Sequence, residues 1–383
     1  MEKTTPFKNL LSREYGVHEK EVRSVAWNFT GTKLASGSED QTARVWHIEP
    51  HGNGNSVELK GHRDSVEHLC WDPKHAELVA TASMDKTVRL WDDRTGKCVQ
   101  LAELSGLNIN IAYKPDGELI AVGDTNNELT ILDVRTFKAI HKRKFHCEVN
   151  EIAWNTTSDI LFVTTGKDEK GVVEVLSYPS LQPLDRLMAH TAGCHCIAID
   201  PCGRYFAVGS ADALVSLWDI SELLCVRTFT KIKSAVRTIS FNHSGEYLAS
   251  GSTDCFIDIS NVQTGRTVHQ IPCGPAMNSV DWNPKSNLLA YAGKDNINEG
   301  NMKSFLFHQA HSTEQTQLML FLVSWFPGFL CYRYCEDLRL HKHGLMHLRF
   351  ASLLRLLDYK MRPPFSSVCS MCSFSSLGFL WDI

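Results

Sequence analysis

The chain has 383 residues, with 39 Lys and Arg against 43 Asp and Glu and a net charge of −4. A protein that grips nucleic-acid phosphates unaided usually carries a basic stripe; the one basic cluster here, KAIHKRKFH at 138–146, reads as a solvated outer strand or loop. Thirteen scattered cysteines, an odd number, form no disulfide framework, and no apolar stretch after Met1 reads as a signal peptide or anchor.

From residue 22 onwards the chain repeats itself. Short apolar runs end on large anchors at Trp27, Trp71, Tyr113, Trp154, Ile199, Phe241 and Trp282, separated by 44, 42, 41, 45, 42 and 41 residues. Periods of this length signal arrays, solenoids or propellers. The runs are β-branched and aromatic (VRSVAW, TVRLW, VRTISF), with turn clusters such as PDGE and HSGE between them, so they predict strands. Four strands per unit is the spacing of propeller blades, and seven anchors predict an all-β, seven-bladed propeller over residues 1–300. The apolar spacing that helical repeats need is not found before residue 300.

Three units also keep a turn aspartate six residues before a tryptophan: Asp40 and Trp46, Asp85 and Trp91, Asp212 and Trp218. In the third, fourth and sixth units Leu132, Leu176 and either Ser260 or Ile259 stand where tryptophan would. The residue four before each anchor varies in kind: Arg23, Glu67, Ile109, Asn150, His195, Arg237 and Asn278. Such variation within a regular period marks side chains freed from the blade core. The polar members, Arg23, Glu67, Asn150, His195, Arg237 and Asn278, are therefore candidates for a partner-binding rim.

No catalytic signature is present: no P-loop, no G-x-S-x-G, no H-E-x-x-H, and no paired carboxylates outside the turns. His190 and His195 flank Cys194, but repeat position accounts for them better than a metal or nucleophile site does. The expectation is a non-enzyme without metal or cofactor.

After NSVDWNPKSNLLAYAGKDNINEG the pattern stops. Residues 301–383 are rich in Phe, Leu, Cys and His and carry no period; they read as a disordered or non-native tail, from a retained intron or a mispredicted exon, the alternative being a genuine added segment that binds membrane or another protein. Within it, 318–331 is only 14 residues long and contains Pro327, too short to span a bilayer. Residues 342–360 have the spacing of an amphipathic helix, and Cys369 and Cys372 form a lone CxxC. The last unit has two recognisable strands, and KSFLFH at 303–308 has the propensity to supply a third; without it the ring is weakened at its seam.

These residues resemble the WD-repeat (WD40) family. Gly61, His62, Asp85, Trp91 and Asp92 form one full copy of its pattern. The resemblance implies a buried hydrogen-bond chain of histidine, strand hydroxyl, turn aspartate and indole: His62, Ser83, Asp85 and Trp91 in one unit, and His18, Ser38, Asp40 and Trp46 in another. It also implies that an N-terminal strand, here within 6–15, completes the last blade. The strings GHRDSVEHLCWDPKH, NINIAYKPDG, EVNEIAWN, GRYFAVGSADALVSLWDI and FIDISNVQTG are similar to the WD-repeat subunits of the THO/TREX messenger RNA export assembly, over roughly residues 6 to 298. That likeness implies a nuclear, non-catalytic scaffold that binds other THO/TREX subunits and meets RNA through them, with no small-molecule substrate and no membrane span. The alternative comes from Trp91, Asp92, Asp93 and Arg94, a W-D-x-R string like that of WD-repeat substrate receptors of cullin-RING ubiquitin ligases, in which the arginine, here Arg94, contacts the adaptor.

Overall fold

The computed structural model describes residues 7, 10–48, 56–167, 170–274, 277–293 and 305–310, and for 11–14, 167 and 305–310 the backbone alone. All described strands fall in one compact unit, 1–311. The segments 318–331 and 342–360 and the pair Cys369 and Cys372 lie outside the described residues.

One strand, β1 (Leu10–Glu14), precedes the repeats. The first sheet is then β2 (Val22–Trp27), β3 (Lys33–Ser38), β4 (Thr42–His47) and β5 (Ser56–Lys60), and the second β6 (Val66–Trp71), β7 (Leu78–Ser83), β8 (Thr87–Asp92) and β9 (Lys97–Glu103). The third comprises β10 (Asn108–Tyr113), β11 (Leu119–Asp124), β12 (Glu128–Asp133) and β13 (Lys138–Lys144), and the fourth β14 (Val149–Trp154), β15 (Ile160–Lys167), β16 (Lys170–Ser177) and β17 (Pro183–His190). The fifth holds β18 (Cys194–Ile199), β19 (Tyr205–Ser210), β20 (Val215–Asp219) and β21 (Cys225–Phe229), and the sixth β22 (Val236–Phe241), β23 (Tyr247–Ser252), β24 (Phe256–Asn261) and β25 (Thr267–Pro272). Each of these six sheets is an antiparallel meander of four consecutive strands. A further four-stranded sheet is composite: β26 (Met277–Trp282), β27 (Leu288–Gly293) and β28 (Phe305–Ala310), with β1 as its outer strand.

The inner strands β2, β6, β10, β14, β18, β22 and β26 pack each against the next, and β26 packs back on β2, so the all-β chain is a closed propeller. Burial follows from this radial stacking. Second strands such as β7 and β23 are covered on both faces and read as continuous apolar and small-residue runs, whereas the outer β13 is exposed along almost its whole length. Small residues are needed where sheets approach closely. A Cβ on Gly37 would lie 2.8 Å from Val66 of the next sheet, and one on Gly209 would lie 2.7 Å from Val236.

The composite sheet differs in place from the expectation. The substitute strand predicted at 303–308 begins two residues later, and the sheet therefore continues past residue 300. Phe307 opposes Ala290 on one side and Arg13 on the other, so the N-terminal and C-terminal ends of the propeller meet in one ladder. Register also identifies the drifted residue of the sixth sheet: Ser260 faces Leu248 as Trp46 faces Leu34, and Ile259 points to the other side.

Candidate protein-interaction site

Three buried polar chains brace the loops at one end of the propeller. In the second sheet the Trp91 indole N–H donates to the Thr81 hydroxyl at 2.8 Å, Thr81 lies 2.7 Å from His62 Nε2, and His62 Nδ1 lies 2.9 Å from Asp85 Oδ2. In the first sheet Trp46, Ser36, His18 and Asp40 repeat the arrangement at 3.1, 2.8 and 2.8 Å. The expected hydroxyls, Ser38 and Ser83, are not the links. Trp46 stands opposite Leu34, which makes Ser36 its diagonal neighbour on the same face, while Ser38 is about 6.5 Å further along the strand. Ser38 and Ser83 instead accept the amide N–H of Asp40 and Asp85 and donate to loop carbonyls. In the fifth sheet the equivalent position is Val208, so the hydroxyl comes from Ser216, which receives the Trp218 N–H at 2.7 Å and lies 2.8 Å from His190; His190 then meets Asp212 at 3.1 Å. His190 is thus a network residue that the repeat pattern alone did not assign.

Burial opposes the charged form of Asp40 and Asp85, but hydrogen bonds from His18 with Thr42, and from His62 with Thr87, outweigh it and hold both carboxyls below the usual carboxylate range. Burial pushes His62 down, which favours a neutral ring that donates from Nδ1 and accepts at Nε2. The same aspartates stabilise an awkward turn: Gln41, Lys86 and Ala213 have φ of 71°, 67° and 68°, and each preceding carboxylate takes the amide N–H of the residue beyond.

The rim residues have a shared backbone origin. In every sheet the pairing of inner and second strand slips at one place, between Val22 and Ser24, Val66 and His68, Asn108 and Asn110, Val149 and Glu151, Cys194 and Cys196, Val236 and Thr238, and Met277 and Ser279. The skipped residues are Arg23, Glu67, Ile109, Asn150, His195, Arg237 and Asn278, the positions singled out by their variability. A bulged residue leaves the ladder and re-aims its side chain, so its identity is released from blade packing. Some of these side chains tie neighbouring sheets together. Arg23 lies 2.6 Å from Glu39 and 3.8 Å from both Glu21 and Glu67. Asn150 donates to the Cys194 carbonyl at 2.7 Å, and Asn278 to Glu21 at 2.7 Å. His195 is half-buried, and burial lowers its pKa. Arg237 is exposed and enters no ion pair among the described residues. Arg94, 67% exposed, is clasped by Asp92 through Nε at 3.0 Å and Nη2 at 2.7 Å.

The residue after each bulge faces the adjacent inner strand. Ser279 accepts the Val25 amide N–H at 3.1 Å, Thr238 that of Val280 at 2.9 Å, and Glu151 that of Ile197 at 2.7 Å. Burial pushes Glu151 up to about 7, with His68 Nε2 4.0 Å away and the Cys196 thiol on the adjoining strand. The folded chain then holds a proton that the unfolded chain releases above its ordinary carboxyl range. The stability linked to Glu151 is complete below pH about 4.5 and is lost as pH rises through 7. Glu151→Gln keeps an acceptor for Ile197 and removes the charge. Urea unfolding is expected to show a gain of about 1–3 kcal/mol at pH 8 and little change at pH 5; an equal effect at both pH values would refute the buried-proton account.

Among the described residues no group of His, Cys, Asp and Glu could hold a metal ion, and no helix is long and apolar enough to cross a membrane.

The sequence profile of the THOC3 beta-propeller domain matches residues 18–292. The chain is 69% identical over 318 residues to THO complex subunit 3 of Arabidopsis thaliana, a match covering 81% of this chain and 100% of that protein. It is 34% identical over 317 residues to the WD repeat-containing protein AAC3 of Dictyostelium discoideum, with 77% and 66% covered. With the F-box-like/WD repeat-containing protein TBL1X of Mus musculus it shares 28% over 294 residues, covering 60% and 55%.

Proposed function

Because the chain belongs to the THOC3 beta-propeller family, we propose that it is a non-catalytic scaffold subunit of the THO/TREX complex, acting in the nucleus where transcription is coupled to messenger RNA processing and export. The observation that carries this is the 69% identity along the whole length of a THO complex subunit 3. The ring of bulged residues supports a binding role, because seven side chains that the blade core does not dictate are gathered at one end of the channel. In this reading Arg23, Glu67, Asn150, His195, Arg237 and Asn278 contact other THO/TREX subunits, and RNA is reached through those partners. The propeller works as a seven-bladed ring whose last blade borrows β1 and β28; it takes in 1–300 together with β28, and the residues beyond are a separate segment.

The test is mass spectrometry of proteins co-purified with the full chain after RNase treatment. Recovery of THO subunits is expected, falling at least fivefold for Arg237→Glu while the thermal midpoint stays the same. Recovery of a cullin adaptor in their place would promote the ligase-receptor reading, which must otherwise contend with the Asp92 clasp on Arg94. Undiminished recovery with Arg237→Glu would remove that residue from the interface.

A further inference from the structure

At the opposite end of the channel from the bulges, the C-terminal ends of β18, β22 and β26 enclose a cavity of about 300 Å³. Phe241 and Trp282 give it aromatic walls, Pro201 and Pro284 stand at the loops that follow, and Ala198, Ser240 and Asp281 reach it from the strands. Asp281 is the residue that the repeat does not explain. The equivalent place, one before each anchor, is Ala26, Cys70, Ala112, Ala153, Ala198 and Ser240 in the other sheets. Six sheets take a small side chain there and one takes a carboxylate.

A latch between sheets does not require the charge. Asp281 Oδ2 accepts the Trp27 amide N–H at 2.8 Å, but Ser240 performs the same task for Trp282 at 3.1 Å with a neutral hydroxyl and without the cost of burying an anion. The donors to Asp281 are themselves neutral: the Trp27 amide and, on Oδ1, the Ser240 hydroxyl at 3.2 Å. Asp281 enters no ion pair among the described residues, and the cavity lining holds no Lys or Arg; its one titratable base is His243, at the exposed rim. Burial without a counter-charge pushes Asp281 up to about 7. A half-closed aromatic and proline cradle over a carboxyl group with no counter-charge beside it is a receptor for a basic side chain, which supplies the cation that holds the group ionised. A guanidinium suits it best, being planar, weakly hydrated and able to stack on aromatic faces while bonding a carboxylate.

We propose that this cavity receives an arginine side chain, or a lysine in its place, from a protruding segment of a partner protein, with Phe241 and Trp282 against the side chain and the Asp281 carboxylate bonded to its head. The site is separate from the bulge rim, and its occupancy by a small probe does not depend on membership of the THO complex.

The probe is Nα-acetyl-arginine methylamide, titrated into the full chain while the indole N–H signals are followed by two-dimensional NMR, with Trp282 identified by Trp282→Phe. Trp27 is a second reporter, since its indole N–H donates to the Asp281 carbonyl at 3.2 Å. Saturable shifts of both signals are expected with the arginine probe, and none with the neutral citrulline analogue at the same concentration. Asp281→Asn keeps an acceptor for the Trp27 amide and is expected to weaken binding at least tenfold. Ala198→Leu fills the cavity without touching charge and is expected to abolish the shifts. In each variant the Trp71 indole, which donates to the Ala26 carbonyl, reports that the ring is intact. A lysine probe that binds alongside arginine also supports the site. Equal shifts with citrulline, or an undiminished response in Asp281→Asn or Ala198→Leu with an unmoved Trp71 signal, would overturn it.

Discussion

Asp85→Ala is expected to lower the unfolding free energy by about 3–5 kcal/mol, because one carboxylate serves four donors and all four lose their acceptor together. His62 Nδ1 lies 2.9 Å from Asp85 Oδ2, the Arg63 amide 3.0 Å, the Thr87 amide 2.9 Å from Oδ1 and the Thr87 hydroxyl 2.7 Å. The damage extends inward: a freed His62 ring no longer fixes Thr81, and Thr81 no longer receives Trp91. Chemical denaturation of the natural chain and the variant measures the loss. Two companions make the result specific. Thr81→Val interrupts the chain at its centre and is expected to cost about 2–3 kcal/mol, whereas Ser83→Ala removes a hydroxyl that only braces the turn and is expected to cost about 1 kcal/mol. The reverse order would restore the serine as the link and contradict the geometry. Because the Asp85 carboxyl lies below the usual range when folded, its contribution is present above the ordinary aspartate pKa and disappears only as the solution becomes strongly acid.

Removing residues 301–383 is expected to destabilise the propeller by on the order of 5 kcal/mol, and removing 312–383 to leave its midpoint within about one degree. The difference between the two truncations is β28. That strand pairs over five positions with β1 and over five with β27, so its loss strips partners from both. Each ladder bond is worth only about 1 kcal/mol net, yet here they fail in a block, and the exposed edge of β27 becomes a template for other chains. Inward of that edge lies a core that depends on the seam: Phe7 stacks edge-on against Tyr247 at 5.0 Å and lies 6.0 Å from Trp282. Differential scanning calorimetry of the two truncations decides the matter. Identical midpoints would mean that β28 contributes nothing to closure.

Much of this protein is legible before folding because a propeller repeats its local problem. Each unit must end its inner strand on a large residue and turn tightly after its second strand, so the anchors and the turn aspartates recur at fixed intervals. The variable position four before each anchor was also visible, since a bulged residue escapes the constraints that hold its neighbours to type. The hydroxyl link was misplaced for a definable reason. Serines at 36 and 38, and Thr81 with Ser83, share one strand face, and only the register against Trp46 and Trp91 tells which of the two lies diagonally across from the indole. Repeat position accounts for His190 but does not give its role, because its hydroxyl partner is Ser216 on the third strand of the sheet and not a residue of the second strand as in the first two sheets.

The sequence by itself determined the all-β class, the period of the units, the aspartate and tryptophan pairs six residues apart, and the kinship of the chain, because each of these is written in spacing or in identity. Tertiary structure decided which hydroxyl completes each chain, which rim side chains are spent on neighbouring sheets, where the last strand lies, and that Asp281 faces a cavity without a counter-charge. These depend on distances between residues far apart in the chain, as with Trp27 and Asp281, and such distances exist only once the ring has closed.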